Sequence, residues 1–307
     1  PLFTDHMGSS QTHQAKPEGG GKMIRSLPSS RKYRGGFTIF IILYFIFLFA
    51  PLVVTMILAF NDSMYPSLPW NGFTLDWFFG NGPEKYGIFH DQTNLRSLFT
   101  SFKVALAVMI VSTFLGTCAA FLFEQENFRF KNALYFLMIA PLVIPGVILG
   151  ISILMFSNTI GMFIENHLGI YVSFLGPGFP LVVLGQSSFI STIVALVVSA
   201  RLKKFDHTLE EAAYNLGANK AEVLWFITLK YLRPSIIGGA AMAFLMSFEN
   251  FNTTIFLVGS QATLPINMYM QVRDGSTPVI NAISFLLILG TSIFAVVNLT
   301  KGNKKIV

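Results

Sequence analysis

Leu209-Glu210-Glu211-Ala212-Ala213-Tyr214-Asn215-Leu216-Gly217-Ala218-Asn219-Lys220 lies in a basic segment between two long apolar runs. A short polar helix held between such runs projects from them and is free to dock another protein. Glu211, Asn215 and Asn219 recur at four-residue spacing, which places them on one helical face. Ala212, Ala213 and Leu216 form a small apolar face beside it, one that lets a partner approach closely. Gly217 is expected to end the helix in a left-handed conformation or to admit a partner's backbone. Both arms of this elbow lead into apolar runs, so a push on its tip would turn those runs as rigid bodies.

Outward from the elbow, the chain of 307 residues is 53% apolar and 12% charged, well away from an ordinary soluble domain. The apolar residues gather in runs of about 20, the length a helix needs to cross roughly 30 Å of hydrocarbon. Six spans are expected, at residues 37–60, 98–123, 133–156, 181–200, 235–258 and 278–299. Residues 161–180 are semi-apolar and are expected to hold an interfacial helix or a partial seventh span. The runs are continuous rather than alternating, which excludes a barrel. Ser112, Gly116 and Ala120, and likewise Gly146 and Gly150, are small residues four apart, a spacing that lets helices approach closely. Pro141 and Pro145 are expected to kink the third span.

The net charge of +6 could point to nucleic acid, but its placement points to membrane orientation. With the N-terminus on the cytoplasmic side, Lys16, Lys22, Arg25, Arg31, Lys32, Arg34, Arg129, Lys131, Arg201, Lys203, Lys204, Lys220, Lys230, Arg233, Lys301, Lys304 and Lys305 are inside. Only Lys85, Arg96, Lys103 and Arg273 are outside or near the outer end, a ratio of 17 to 4. Both termini and the Glu211 loop are therefore expected in the cytoplasm. The expected organisation is a cytoplasmic segment 1–36, a transmembrane domain 37–300 with a coupling loop 201–234, and a tail 301–307. Within the first segment His6-Met7-Gly8-Ser9-Ser10 looks like a cloning remnant, and Met23 is a candidate natural start. The run after Arg34 is too long for a cleaved signal peptide. The outer segment 61–97 carries Trp70, Phe73, Trp77, Phe78 and Phe79. It reads as an interfacial aromatic belt, as a surface for an extracytoplasmic binding protein, or as both.

Extended by Ile227 and Leu229, the elbow resembles the EAA loop of permease subunits in binding-protein-dependent ABC importers. It spells Glu-Ala-Ala, three residues, Gly217, nine residues, Ile227, one residue and Leu229, with Lys230 where the family pattern has proline. Nearly all of the chain after Met23 is similar to the spermidine/putrescine branch. The likeness is carried by Ala59-Phe60-Asn61-Asp62-Ser63, Asn71-Gly72-Phe73-Thr74 with Trp77, and Pro141-Leu142-Val143-Ile144-Pro145. Ser199-Ala200-Arg201-Leu202 with Phe205-Asp206, Thr263-Leu264-Pro265, and Pro278 with Asn281-Ala282 continue it. The resemblance implies an all-α membrane protein of about six transmembrane helices with the type I (MetI-like) permease fold, multi-pass in a bacterial inner membrane. It implies a second homologous permease subunit, an ATP-binding subunit dimer and an extracytoplasmic solute-binding protein, with ATP held by the partner subunits and no cofactor here. The residues expected to couple to the ATPase are Glu211, Ala212, Ala213, Asn215, Leu216 and Gly217.

The chain itself shows no sign of enzyme chemistry. Gly21-Lys22 is followed by Met23, so it is no phosphate-binding loop, and no His-Glu-x-x-His or paired Cys/His set occurs. His6, His13 and His90 are scattered, His167 and His207 flank spans, and Cys118 has no second cysteine to pair with. Energy for transport must come from a partner or an ion gradient. Glu249, Asn250, Asn252 and Thr253 place polar groups midway along the fifth expected span. An intramembrane charge costs about 2.5–3.5 kcal/mol on insertion scales, so it normally faces a cavity or a partner. Glu249, Asn252 and Thr253 are expected on one face, either lining the passage of a cationic solute or clamping a neighbouring subunit. The polyamine branch usually reads Ser-Leu-Asp-Asp where this chain has Ser247-Phe248-Glu249-Asn250, and often has Glu where Val279 stands. A quaternary amine, a zwitterionic osmolyte or an amino-acid-like solute therefore competes with polyamine. An ion-coupled secondary transporter is the rival from another class.

Overall fold

The computed structural model describes residues 31–82, 85–275 and 277–303. Readings that involve residues 1–30, among them the cloning remnant and the start at Met23, fall outside the described residues, as do Lys304 and Lys305. The described elements are α1 (Arg31–Leu58), α2 (Asp76–Phe79), α3 (Gln92–Gln125), α4 (Lys131–Val143), α5 (Gly146–Leu168), α6 (Phe179–Leu202), α7 (Thr208–Asn215), α8 (Lys220–Val223), α9 (Leu229–Phe248), α10 (Thr254–Leu257), α11 (Leu264–Gly275) and α12 (Val279–Asn303). Among the described residues, the helices Gly35–Leu58, Gln92–Gln125, Gly146–Leu168, Phe179–Leu202 and Lys220–Phe248 are long and apolar enough to cross a membrane.

Residues up to Val54 and residues from Thr55 onward form two compact units. In the first, α1 carries a ladder of aromatic rings, with Phe45 stacked 6.1 Å from Phe49 and edge-on to Tyr44 at 5.8 Å.

In the second unit, α3, α6 and α9 pack against one another around α6. Of the described helices long enough to cross a membrane, α6 is the most buried. Val182, Ile190, Val194 and Val198 along it are fully buried. The close approach is made by the small residues expected to make it. Ser112, Gly116 and Ala120 are buried, and a Cβ on Gly116 would fall 2.6 Å from Ser191 O and 2.7 Å from Val194 Cβ. On α9, Gly239 faces Val194, whose Cγ1 would lie 3.1 Å from an added Cβ.

The third expected span is not one helix. It divides into α4 and α5, and the reason is local: Ile144 precedes Pro145 and takes an extended conformation (φ −76°, ψ 129°). The ring of a proline disfavours the helical conformation for the residue before it. The first eight residues of the stretch 161–180, through Leu168, complete α5. That helix stops at Gly169 (φ +64°), and a 3₁₀ turn at Ser173–Leu175 follows. The expected interfacial helix or seventh span is replaced by this continuation.

α3 is 34 residues long, about 51 Å at 1.5 Å per residue, and it separates the two ends of the bundle. At its N-terminal end Asn94 Oδ1 accepts from Asn267 Nδ2 and Gln271 Nε2, and Ser101 Oγ accepts from Leu264 N. The segment after Phe60 folds at this end. Asn61 is its hub: its amide donates to Ser67 O and Pro69 O and accepts from Asn71 N, while its own carbonyl accepts from Trp77 Nε1. Trp77 and Phe78 are therefore core residues, packed with Ile88, Leu264 and Ile283. Trp70, Phe73 and Phe79 are exposed. The aromatic belt expected from the sequence is thus split, because the segment buries part of its aromatic surface against Leu264 and Ile283 from later in the chain.

Candidate functional site

At the other end of α3 stands the elbow. Asp206 starts it, its carboxylate accepting from the Thr208 amide (3.0 Å) and hydroxyl (2.8 Å). Those two bonds, the hydroxyl foremost, hold the Asp206 carboxyl below its ordinary 3.8. Glu210 and Glu211 occupy the first turn of α7, where the helix dipole favours negative charge. Gly217 ends the helix with φ +90°. Gly217 N donates to Tyr214 O and Ala218 N to Ala213 O, the paired bonds of a Schellman cap. Two residues on, Asn219 and Glu222 exchange backbone bonds in a capping box that opens α8. From there the helix runs through a π-helical turn, Leu224–Thr228, directly into α9. Lys230 stands where the resemblance led one to expect proline, and α9 runs unbroken through it and through Pro234 one turn further along.

The two arms are tied across the elbow. Glu210 Oε1 accepts from Thr228 Oγ1 at 2.6 Å, and its Oε2 lies 3.1 Å from His207 Nδ1. Arg201 Nε donates to Tyr231 O (2.8 Å), with its guanidinium 4.5 Å from the centre of the Tyr231 ring. Lys203 pairs with Glu124 at the end of α3 (3.5 Å). A cleft of about 470 Å³ opens behind α7, lined by Glu124, Gln125, Glu210, Tyr214, Lys220 and Leu224.

Of the residues expected to couple, Glu211, Ala212, Asn215, Leu216 and Gly217 are exposed and Ala213 is half-buried. Leu216 is 89% exposed at the tip. Asn219 does not share their face, contrary to the four-residue spacing, because Gly217 turns the chain before that position. Sequence reasoning passed over Glu210 and Thr228, which hold the arms together. Glu210 is legible as a first-turn acid, but nothing local marks a partner 18 residues away.

The residues expected along the solute path are arranged differently from the sequence reading. α9 stops at Phe248, with Glu249 as its cap, and helix resumes only at Thr254. Glu249 is thus at a helix break and not midway along a span, and Glu249, Asn252 and Thr253 do not form one helical stripe. The cause is the run Asn250, Asn252, Thr253 and Thr254, whose short polar side chains compete for backbone hydrogen bonds. Asn250 Oδ1 accepts from both Thr254 N (3.3 Å) and Thr254 Oγ1 (2.8 Å). Thr253 is buried, donating to Gly146 O (3.2 Å). Glu249 and Asn252 remain exposed. Sequence reasoning also missed Gln186, buried on α6, which accepts from Ser247 Oγ and donates to Thr254 Oγ1. A lone amide in an apolar helix is the signal that could have found it; its partners could not be read.

Residues 112–301 match the family described as the binding-protein-dependent transport system inner membrane component. The putrescine transport system permease protein PotI of Escherichia coli (strain K12) is 32% identical over 257 residues, covering 81% of this chain and 84% of that protein. The spermidine/putrescine transport system permease protein PotC of the same strain is 25% identical over 280 residues, covering 89% and 97%. PotC of Haemophilus influenzae (strain ATCC 51907 / DSM 11121 / KW20 / Rd) is 24% identical over 251 residues, covering 81% and 90%. Among solved structures, a bacterial ABC transporter involved in the import of the acidic polysaccharide alginate shares the fold, with a TM-score of 0.60 at 13% identity over 91% of this chain and 99% of that one. A helical bundle with membrane-crossing helices, the elbow, and these matches lead to one conclusion: the chain belongs to the binding-protein-dependent transport system inner membrane components, multi-pass permease subunits with the type I ABC importer fold.

Proposed function

We propose that this chain is one of two homologous permease subunits of an ABC importer for a small cationic solute of the polyamine class. An ATP-binding subunit dimer docks on α7 in the cytoplasm, and an extracytoplasmic solute-binding protein delivers solute to the opposite end. Both termini are cytoplasmic in this reading, which the 17 to 4 asymmetry of Lys and Arg supports. ATP is bound and hydrolysed on the partner subunits.

The observation that carries this reading is the elbow: a capped helix with an exposed Glu211–Leu216 face, tied at its base to α6 and α9 by Glu210–Thr228 and Arg201–Tyr231. A part held this way moves with the helices it joins. Closure of the ATPase dimer on ATP pulls α7 and opens the cavity outward to the loaded binding protein; hydrolysis returns it inward. Similarity to PotI and PotC, named for putrescine and spermidine transport, supports the solute class. Glu249, exposed at the helix break, supplies the carboxylate that faces the cation. One observation favours a second reading. Position 250 is an amide, bonded to Thr254, so Glu249 is the one carboxylate at the break, which suits a quaternary amine or zwitterion as well as a diamine.

Co-purification of the ATPase subunits tests the elbow. Glu211→Lys should leave the permease folded and abolish their association; retained assembly with normal uptake rejects the docking role. Putrescine uptake into proteoliposomes holding the full complex tests the path. Glu249→Gln should lower it without loss of assembly, and unchanged kinetics removes Glu249 from the path.

A further inference from the structure

Between the end of α9 at Phe248 and the start of α10 at Thr254 the helix is broken, yet the residues there are held in place from the side. The hydrogen bonds run in one direction. Ser247 Oγ donates to Gln186 Oε1, Gln186 Nε2 donates to Thr254 Oγ1 (2.7 Å), and Thr254 Oγ1 donates to Asn250 Oδ1 (2.8 Å). Gln186 and Thr254 have no exposed surface, and Ser247 is 4% exposed. One carboxamide on α6 thus bridges the last turn before the break and the first residue after it. The neighbouring Gly185 leaves room for the Leu257 side chain, whose Cδ1 would lie 2.3 Å from an added Cβ. From the other side α5 closes on the same segment, with Thr253 bonded to Gly146 O and a Gly150 Cβ position only 2.8 Å from Thr253 O.

We propose that Gln186 is a positioning residue of the solute path: by stapling Ser247 to Thr254 it sets where the broken segment lies and keeps Glu249 and Asn252 turned out of the bundle. This rests on the reading of that segment as path-lining. Gln186 touches no solute. It acts because a buried polar group must be paired, so the chain of bonds admits one arrangement. Glutamine is the residue the geometry calls for. It needs an acceptor for Ser247 and a donor for Thr254 on one planar head, and asparagine is a methylene too short to span both.

Cys118 is the chain's single cysteine, which makes a thiol-labelling test clean. In the complete complex, a Cys118→Ser background with Asn252→Cys is labelled by a charged, membrane-impermeant maleimide. Gln186→Met and Gln186→Asn should each change the labelling rate by about fivefold, the scale set by loss of one buried hydrogen bond. Thr254→Ser, which keeps the hydroxyl, should stay at the parental rate; Thr254→Val should behave like Gln186→Met. Parental labelling in Gln186→Met overturns the proposal. The triple variant Ser247→Ala, Gln186→Met, Thr254→Val guards against misfolding, because it leaves no orphaned polar atom on those three side chains. An altered rate in the folded triple variant supports the staple, and a parental rate overturns it. Protection by putrescine is scored separately. If putrescine does not slow labelling in the parent, the polyamine reading fails, while the role of Gln186 is still decided by the rates without solute.

Discussion

Substituting Gly217 would isolate the backbone physics of the elbow from its packing. The residue sits at φ +90°, and nothing lies within 4 Å of the position a Cβ would take. A side chain there meets open space, so any cost is conformational. For an L-residue the left-handed region costs about 1–2 kcal/mol. Asparagine tolerates it better than alanine, and a β-branched residue tolerates it worst. The expected order of damage is therefore Gly217→Asn, then Gly217→Ala, then Gly217→Val, with about 1 kcal/mol for alanine. That is about a fivefold rise in the population of the opened cap, since 1.4 kcal/mol is tenfold. The bonds at stake are Gly217 N to Tyr214 O (2.9 Å) and Ala218 N to Ala213 O (3.1 Å). Amide hydrogen exchange on the purified permease in nanodiscs reads this directly. The Gly217-position and Ala218 amides should exchange faster in that order, with the amides of α3 and α6 unchanged. Equal exchange in all three variants would refute the reasoning. So would an order that follows side-chain volume, with asparagine worse than alanine.

Other perturbations probe the rest of the fold. Gly116→Leu should force α3 from α6 and cost about 3 kcal/mol or more, because its Cβ would lie 2.6 Å from Ser191 O. Gly238→Leu, with nothing within 4 Å of its Cβ, is the control, and thermal unfolding followed by far-UV circular dichroism should separate the two. Asn61→Leu should orphan Ser67 O, Pro69 O and Asn71 N, at about 1–3 kcal/mol for each group that stays buried. Limited proteolysis should then cut between residues 61 and 91 with α3 left intact. The elbow should also show acid sensitivity with a defined sign. Asp206 has a folded-state pKa below 3.8, so its contribution is present above pH 3.8 and is lost as pH falls through the lower folded value. Exchange at the start of α7 should be flat from about pH 8 to 5 after correction for intrinsic rates; Asp206→Ala, which leaves Thr208 no acceptor, should remove the protection at every pH.

The features legible from the chain alone are those set by neighbours along it. A run of about 20 apolar residues must be helical in lipid, because no water satisfies its backbone. Gly217 as a stop, Pro145 as a bend in the third expected span and the small residues at 112, 116 and 120 are likewise local facts. They appear in the structure as a left-handed cap, an extended Ile144 and a close crossing of α3 and α6. Apolar periodicity has no term for side-chain competition with the backbone, which is why the expected fifth span ran on through Asn250 and Thr253. Pairings between residues far apart in the chain were out of reach for a different reason. Gln186 meets Ser247 and Thr254 across 61 and 68 residues, Glu210 meets Thr228 across 18, and Asn94 meets Asn267 across 173. The sequence shows that each of these polar groups needs a partner. Which partner it finds depends on how the helices cross, and that is settled by the packing of the whole bundle around α6.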